Sequence, residues 1–82
     1  MFHQIEEIIE LDNLKITVRF SNGVIKIYNV EQLIPSFPQM KPLKNNKLFK
    51  TAVLDSGGYG ISWNDNIDIA AEEIWNYGII KK

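Results

Sequence analysis

The chain has 82 residues, of which 45% are hydrophobic, and it carries a formal net charge of −1. This length predicts one domain, residues 1–82, with a limited core, and the lack of cysteine excludes disulfides and thiolate metal sites. No apolar run is long enough to span a membrane, and the first residues lack the order of a secretory signal, so we expect a cytoplasmic protein with no membrane association.

The segment before the central hairpin fits either a helix or a strand, because its isoleucines match both spacings. We favour a strand for an electrostatic reason. The hairpin that follows is expected to place Arg19 directly opposite Lys26, and like charges in that arrangement destabilise a sheet. A neighbouring strand that carries Glu6 or Glu10 would relieve the repulsion, so we predict a strand over residues 2–11.

The central segment, residues 14–30, predicts a β-hairpin. Two alternating runs meet at Asn22-Gly23, a pair that suits the positive φ angles of a two-residue type I′ turn. Such a turn would place Phe20 opposite Ile25. The predicted inner face carries apolar side chains: Leu14, Ile16, Val18, Phe20, Ile25 and Ile27. The predicted solvent face carries mostly polar side chains: Lys15, Thr17, Arg19, Ser21, Lys26 and Tyr28.

Turn and cap residues predict the elements on either side of this hairpin. Asp12-Asn13 would turn the first strand into the hairpin, which makes a three-stranded meander. Asn29 can cap a short helical turn, which Pro35 would end. Farther along, Asn45 or Asn46 can cap a short helix at about the segment LFKTA.

A second hairpin is predicted between Val53 and Trp63. Its turn is Gly57-Gly58, since glycine adopts the positive φ that a tight hairpin turn requires. Gly60 lies inside the returning strand and indicates a bulge or a close approach of another group to the backbone. The chain therefore contains two predicted hairpins of different pattern.

The last element is predicted to be a helix. Asp68 is the expected N-cap of a helix from Ile69 to about Asn76, and Gly78 is the expected stop. Together the elements predict an α+β fold in a single domain: an antiparallel meander around the hairpin 14–30 and a second hairpin, both packed against short helices.

A series of lysines is the main polar feature of the sequence. They recur at every third position in a stretch without acids: Lys41, Lys44, Lys47 and Lys50. Such a series can be a solvated surface, a phosphate-binding patch for nucleic acid, or a contact for an acidic protein. All three interpretations stay open, and the slightly acidic chain as a whole weighs against nucleic acid.

Other residues give weaker functional signals. His3 has no sequence partner for catalysis, and Asp65 and Asp68 fall short of a calcium loop. Trp63 is either a packing residue or part of an interface. We therefore predict no catalytic, cofactor-binding or metal-binding residues, and a candidate interaction surface with these members: Lys41, Lys44, Lys47, Lys50, Trp63 and Asp68.

The order of several short motifs resembles a known family. A strand leads to F-S-N-G, then V-I-K-I-Y-N, P-L-K-N-N-K-L-F, G-I-S-W, and finally D-I-A with E-I-W. In this order they resemble the small bacterial family known as domain of unknown function 2442 (DUF2442), over nearly the whole chain. The resemblance implies an α+β domain of the bacterial cytoplasm with no assigned activity, often beside small partner proteins in toxin–antitoxin-like settings. No catalytic residues follow from it.

These observations favour a non-enzymatic module that binds another small protein through an exposed sheet edge or the lysine segment. The toxin–antitoxin-associated role comes from the resemblance alone. An exposed edge strand also makes a homodimer a reasonable expectation. Two alternatives belong to other classes: a nucleic-acid-binding accessory protein that uses Lys41 to Lys50, and a small-molecule-binding domain with a pocket of Tyr59, Trp63 and Asp68.

Overall fold

Seven strands form two antiparallel sheets in this computed structural model, which describes residues 2–82. The strands are β1 (Ile5–Asp12), β2 (Lys15–Phe20), β3 (Ile25–Asn29), β4 (Val53–Leu54), β5 (Gly60–Asn64), β6 (Ile67–Ala70) and β7 (Ile79–Ile80). The first sheet has the order β1-β2-β3-β7 and the second sheet the order β4-β5-β6.

Short helices connect and cover the sheets. The α-helices are α1 (Asn46–Phe49) and α2 (Ala71–Tyr77), and the 3₁₀ helices span Val30–Leu33, Pro38–Lys44 and Ser56–Gly58. The predicted α+β fold, with two hairpins packed against short helices, is confirmed. Asn29 and Asn45 cap the first 3₁₀ helix and α1 through their side-chain oxygens, as predicted. No helix in residues 2–82 has the length and apolar character that crossing a membrane requires.

The predicted first strand is present, over Ile5–Asp12 rather than residues 2–11, and part of the reason given for it was wrong. Arg19 lies opposite Ile25 rather than Lys26, so the expected repulsion does not arise. Arg19 nevertheless donates to Glu6 and Glu7 of β1, with its Nη2 2.5 Å from Glu7 Oε1. Opposite charges on adjacent strands thus hold β1 against β2.

The turn between β1 and β2 lies one residue later than predicted, at Asn13-Leu14. Both residues have positive φ, at 48° and 70°. These angles match the two-residue type I′ turn, for which asparagine is a favoured residue and leucine is not. Leu14 is nevertheless partly buried against the core, so it lies in the turn and packs rather than extending the strand.

The predicted register of the β2–β3 hairpin is wrong by one residue. The loop comprises Ser21–Gly23, and the N–H of Phe20 donates to the carbonyl of Val24 at 2.8 Å. Within this loop Gly23 has positive φ, at 91°. This is the three-residue hairpin in which glycine forms a bulge, and it pairs Phe20 with Val24 instead of Ile25.

The shifted register exchanges the faces of β3. Lys26 and Tyr28 lie on the core side with Val18 and Ile16 opposite them, and both are buried. Ile25 and Ile27, which were expected in the core, lie half-buried on the other face. A one-residue change of register moves every side chain of a strand to the opposite face.

The polar ends of the two buried side chains find partners on α2. The Lys26 ammonium donates to the carbonyl of Trp75 and lies 4.3 Å from the centre of the Trp75 ring. The Tyr28 hydroxyl donates to Glu73 Oε2 at 2.7 Å. These bonds offset the cost of burying polar groups. The predicted hairpin had placed both side chains on the solvent face.

The second hairpin forms where it was predicted. β4 pairs with β5, and Gly57 and Gly58 of the turn have positive φ, at 84° and 80°. A Cβ on Gly58 would lie 2.3 Å from the carbonyl oxygen of Ile5, so this turn packs against the start of β1. A Cβ on Gly60 would lie 2.6 Å from Asp55 Oδ2, which confirms the predicted close approach.

The prediction for the end of the chain needs two corrections. Asp68 does not cap a helix, because it lies in β6, where Ser62 is its partner on β5. α2 begins at Ala71, where no side chain of residues 2–82 caps it, and it ends before Gly78 as predicted. The strand β7, which was not predicted, follows and pairs with β3.

Candidate functional site

The lysine series lies on the surface, in the 3₁₀ helix that ends at Lys44 and in and after α1. All four side chains, those of Lys41, Lys44, Lys47 and Lys50, are exposed. Lys50 has an acidic neighbour, with its Nζ 3.8 Å from Asp12 Oδ1. Lys41 and Lys44 are three residues apart in a 3₁₀ helix and therefore share a face.

Trp63 packs between the second sheet and α1. Its indole N–H donates to the carbonyl of Phe49 at 2.8 Å, and its ring stacks on the Phe49 ring with centroids 5.8 Å apart. The side chain is half-buried, and its one donor is used inside the domain. This geometry is that of a packing residue.

The structure does not bring together the residues of the predicted small-molecule pocket. Tyr59 lines a mostly apolar cavity of about 370 Å³ with Phe2 and His3. Asp68 lines a different groove, and Trp63 lines neither of the two. The predicted pocket of Tyr59, Trp63 and Asp68 is therefore not formed.

His3 packs against α2. Its backbone N–H and its ring Nδ1 both contact the Glu72 carboxylate, and the ring stacks on Trp75 at a centroid distance of 3.8 Å. The hydrogen bond from the His3 backbone lowers the pKa of the Glu72 carboxyl. This cluster joins the segment before β1 to α2.

The outer edge of β6 presents backbone groups with no partner strand in residues 2–82. The N–H of Ala71 donates at 2.9 Å to the carbonyl of Tyr59, the residue directly before β5. Alternate residues of a strand point their backbone groups to opposite sides. The N–H groups of Asp68 and Ala70 and the carbonyl of Asp68 therefore face away from β5.

A groove of about 260 Å³ runs beside this free edge. We call it the β6 groove. Its apolar wall comes from the 3₁₀ segments and has three members: Leu33, Phe37 and Met40. The opposite wall is the strand itself, residues 68–70, and Glu73 of α2 also lines the groove. Phe37 is 46% exposed, so the apolar wall is open to solvent. The charged residues of the lining are both acids, Asp68 and Glu73.

A tyrosine of the first sheet fixes the position of the Glu73 carboxylate. Tyr28 is fully buried and donates its hydroxyl to Glu73 Oε2. Burial, followed by this hydrogen bond, raises the pKa of the Tyr28 phenol above its ordinary value, so the hydroxyl stays protonated and acts as a donor. A fixed acid thus lines the β6 groove.

The end of the chain forms a second exposed edge. Tyr77, Ile79 and Ile80 are 63%, 75% and 58% exposed. The two isoleucines form β7, the outermost strand of the first sheet. Exposed apolar side chains on an edge strand are typical of surfaces that contact another protein.

Of the residues that line the β6 groove, only Asp68 was among the predicted site residues. Asp68 was named, although for a different structural role. Glu73 was not among the predicted site residues, and its partner Tyr28 is 45 residues away in the sequence. No local pattern connects two residues at that separation.

In the described part of the chain no three histidine, aspartate or glutamate residues are grouped to hold a metal ion.

The comparisons with known proteins agree with the motif order. The family model described as "Protein of unknown function (DUF2442)" matches residues 5–79. No curated protein matches the chain, and no solved structure does. The match covers nearly the whole sequence, from the first strand to β7. The chain therefore belongs to the DUF2442 family of proteins of unknown function.

Proposed function

We propose that this chain is a non-enzymatic protein-interaction module that receives an extended segment of another small protein along the free edge of β6. The observation that carries the proposal is that the outward backbone groups of Asp68 and Ala70 have no partner strand within residues 2–82 and lie beside an apolar wall. In strand addition the main-chain hydrogen bonds supply affinity, and pockets for alternate side chains supply specificity. The β6 groove offers both elements.

The other long edge of the domain is built to prevent such pairing. β1 carries two register irregularities and four acidic side chains: Glu6, Glu7, Glu10 and Asp12. Bulges and edge charges are the devices by which proteins block strand addition. β6 pairs regularly from Asp68 to Ala70 and has Asp68 as its one charged side chain. The contrast favours β6 as the docking edge.

The family resemblance suggests the setting of this interaction. We place the protein in the bacterial cytoplasm as an accessory to a toxin–antitoxin-like pair, with one of the two small proteins as its partner. The packing of His3 against Glu72 and Trp75 supports a structural role for the one histidine, in keeping with a protein that has no catalytic activity.

Substitution of Ala70 tests the proposal directly. Ala70 has φ −70° and ψ 146°, which proline adopts without strain, and its N–H faces away from β5. Ala70→Pro should thus remove a docking donor and leave the fold intact. Ala70→Val is the matched control, since it also enlarges the side chain but keeps the N–H.

The measurement is capture of a co-expressed neighbouring gene product by the tagged chain. The wild type and Ala70→Val should retain the same partner, and Ala70→Pro should lose it. Equal retention by Ala70→Pro, or no specific partner for the wild type, would exclude docking at this edge.

The exposed lysines favour nucleic-acid binding as a second candidate function. Among residues 2–82, Lys41, Lys44 and Lys47 have no acidic group within ion-pair distance. Binding through phosphates should weaken steeply with salt. Retention of labelled RNA or DNA should disappear when Lys44, Lys47 and Lys50 are changed to glutamate. No retention at low salt by the wild type would remove this candidate.

Self-association is a further proposal, since Ile79 and Ile80 expose an apolar edge at β7. Two copies could pair these edges. Light scattering over a range of concentrations should give the mass of a dimer for the wild type and of a monomer for Ile79→Lys. A monomer at every concentration would exclude the homodimer.

A further inference from the structure

We infer that the segment bound in the β6 groove carries a lysine or arginine side chain, which Glu73 and Asp68 receive. This inference rests on the proposed function, because it names the partner chemistry of the same groove. It assigns the choice of partner to the two acids and to the tyrosine that positions one of them.

The charge of the lining decides between cationic and anionic segments. Asp68 and Glu73 are the charged residues that line the groove, and no basic side chain of residues 2–82 lines it. An acidic segment would meet two like charges, whereas a basic segment would find opposite charges. Each carboxylate can also accept charge-assisted hydrogen bonds from an ammonium or guanidinium group.

The two acids differ in how firmly they are held. Asp68 is exposed on β6, and its carboxylate receives no hydrogen bond from residues 2–82. Glu73 is half-buried, and Tyr28 donates to its Oε2 at 2.7 Å. Because Tyr28 is fully buried, its hydroxyl is not exposed to water as an alternative partner. It therefore holds the Glu73 carboxylate in one orientation. A group that is ordered before binding loses less entropy when a ligand arrives.

Tyr28 is therefore a positioning residue, and Glu73 is the residue that contacts the partner. The Oε1 atom of Glu73 receives no hydrogen bond from the described residues, so it is the acceptor left for a ligand. Phe37 and Met40 lie across the groove and give an apolar path for the aliphatic part of a lysine side chain.

The groove also fixes where the basic residue stands in the bound segment. Side chains of a strand alternate between two faces, so residues that reach the apolar wall are separated by two positions. We expect a segment in which a lysine or arginine is flanked at that spacing by apolar residues. The probes are three blocked heptapeptides of alternating threonine and valine that differ in the central residue: lysine, norleucine or glutamate.

The experiment is a titration of the ¹⁵N-labelled full chain with each peptide, followed by amide chemical shifts. The lysine peptide should perturb residues 67–70 and 33–40 and bind roughly fivefold more tightly than the norleucine peptide. The glutamate peptide should bind most weakly. Norleucine matches the length of the lysine stem, so the ratio of the two affinities isolates the charge.

The variants assign the effect to residues. Glu73→Gln keeps an acceptor for the Tyr28 hydroxyl, and it should reduce the lysine-to-norleucine ratio to roughly one or two. Asp68→Asn should reduce it less. Tyr28→Phe should reduce the lysine-to-norleucine ratio without changing the affinity for the norleucine peptide. If Tyr28 acted only on stability, both affinities would change by the same factor and the ratio would stay the same. If Tyr28→Phe fails to fold, Glu73→Gln alone carries the test.

The outcomes separate the inference from the proposed function. Equal affinity for the three peptides, with shifts along β6, would overturn the charge preference and retain strand addition. A preference for lysine that survives both Glu73→Gln and Asp68→Asn would overturn the assignment of the two acids. If no peptide perturbs β6, docking at this edge is excluded, and the inference falls with it.

Discussion

The two sheets of this domain place their turns and edges differently. In the first sheet the hairpin turn extends into solvent, and no atom of the described residues lies within 4 Å of a Cβ added at Gly23. In the second sheet the turn packs against β1, where a Cβ on Gly58 would meet the Ile5 carbonyl oxygen. The free edge of the second sheet, at β6, borders the groove instead.

This difference separates two roles within a small domain. The inner face of β2 and β3 is almost fully buried through Ile16, Val18, Phe20 and Tyr28. The second sheet is anchored through its turn, and within residues 2–82 its outer edge has no partner strand. We expect substitutions in the first sheet to change stability, and substitutions at the β6 edge to change binding.

The largest effect is expected on the buried inner face of the first sheet, at the end of β2. Phe20 is 1% exposed and contacts the Trp75 ring edge-on at 4.9 Å. Phe20→Ala should lower the free energy of unfolding by about 3–5 kcal/mol, because it removes a buried ring and leaves a cavity. Chemical denaturation measures the loss. Val53→Ala in the second sheet, at a side chain 61% exposed, is the control and should cost well under half as much.

The second prediction compares the two turns by the same substitution. Gly58→Ala should cost about 3 kcal/mol, since it combines a positive φ with an overlap against the Ile5 backbone. Gly23→Ala should cost only about 1 kcal/mol, because the angle is unfavourable but the space is open. Thermal or urea unfolding of both variants tests the difference. Equal costs would mean that the second turn is not anchored on β1.

Sequence patterns predicted the turn residues of the first hairpin but not its register. Asn22-Gly23 is compatible with loops of two or three residues. The two-residue type I′ turn was predicted from the positive φ that both residues tolerate, and that turn would place Ile25 and Ile27 inside. The structure buries Lys26 and Tyr28 instead, because α2 supplies partners for their polar ends. Those partners come from a distant part of the chain, where a pattern limited to one hairpin holds no information.

The candidate site was less predictable than the fold for a related reason. The β6 groove is built from residues 33–40 and residues 66–73, and no local signal indicates that these segments adjoin. Asp68 was expected to cap a helix because an aspartate before an apolar run is a common N-cap. Pairing with β5 extended the chain through Ala70 instead, which created the free edge.

The third prediction concerns the link between the two regions, the bond from Tyr28 to Glu73. The pKa of Tyr28 is raised in the folded state, so its contribution to stability is fully present below the unfolded value of about 10 and is lost as pH rises beyond it. Alkaline unfolding, followed by the ultraviolet absorbance of phenolate, should show one tyrosine that ionises only when the chain unfolds.

Tyr28→Phe is the control for this titration. It should abolish the late ionisation and lower the free energy of unfolding at neutral pH by about 1 kcal/mol, since the Glu73 carboxylate loses its donor. Ionisation of all three tyrosines in the folded chain would contradict the buried position of this phenol.

The smallest effect on stability is expected at the β6 edge. Asp68 is exposed and stands opposite Ser62, with no hydrogen bond to its carboxylate in the described part of the chain. Asp68→Asn should therefore change the free energy of unfolding by less than about 0.5 kcal/mol in urea denaturation. The same substitution should lower the affinity for the lysine heptapeptide more than the affinity for the norleucine heptapeptide, because it removes only the charge of the side chain. A stability loss above about 1 kcal/mol would make this edge part of the folding scaffold, since surface positions without structural partners do not reach that value. That result would contradict the expectation that substitutions in the first sheet change stability and substitutions at the β6 edge change binding, because Asp68 is the exposed charged residue of that edge.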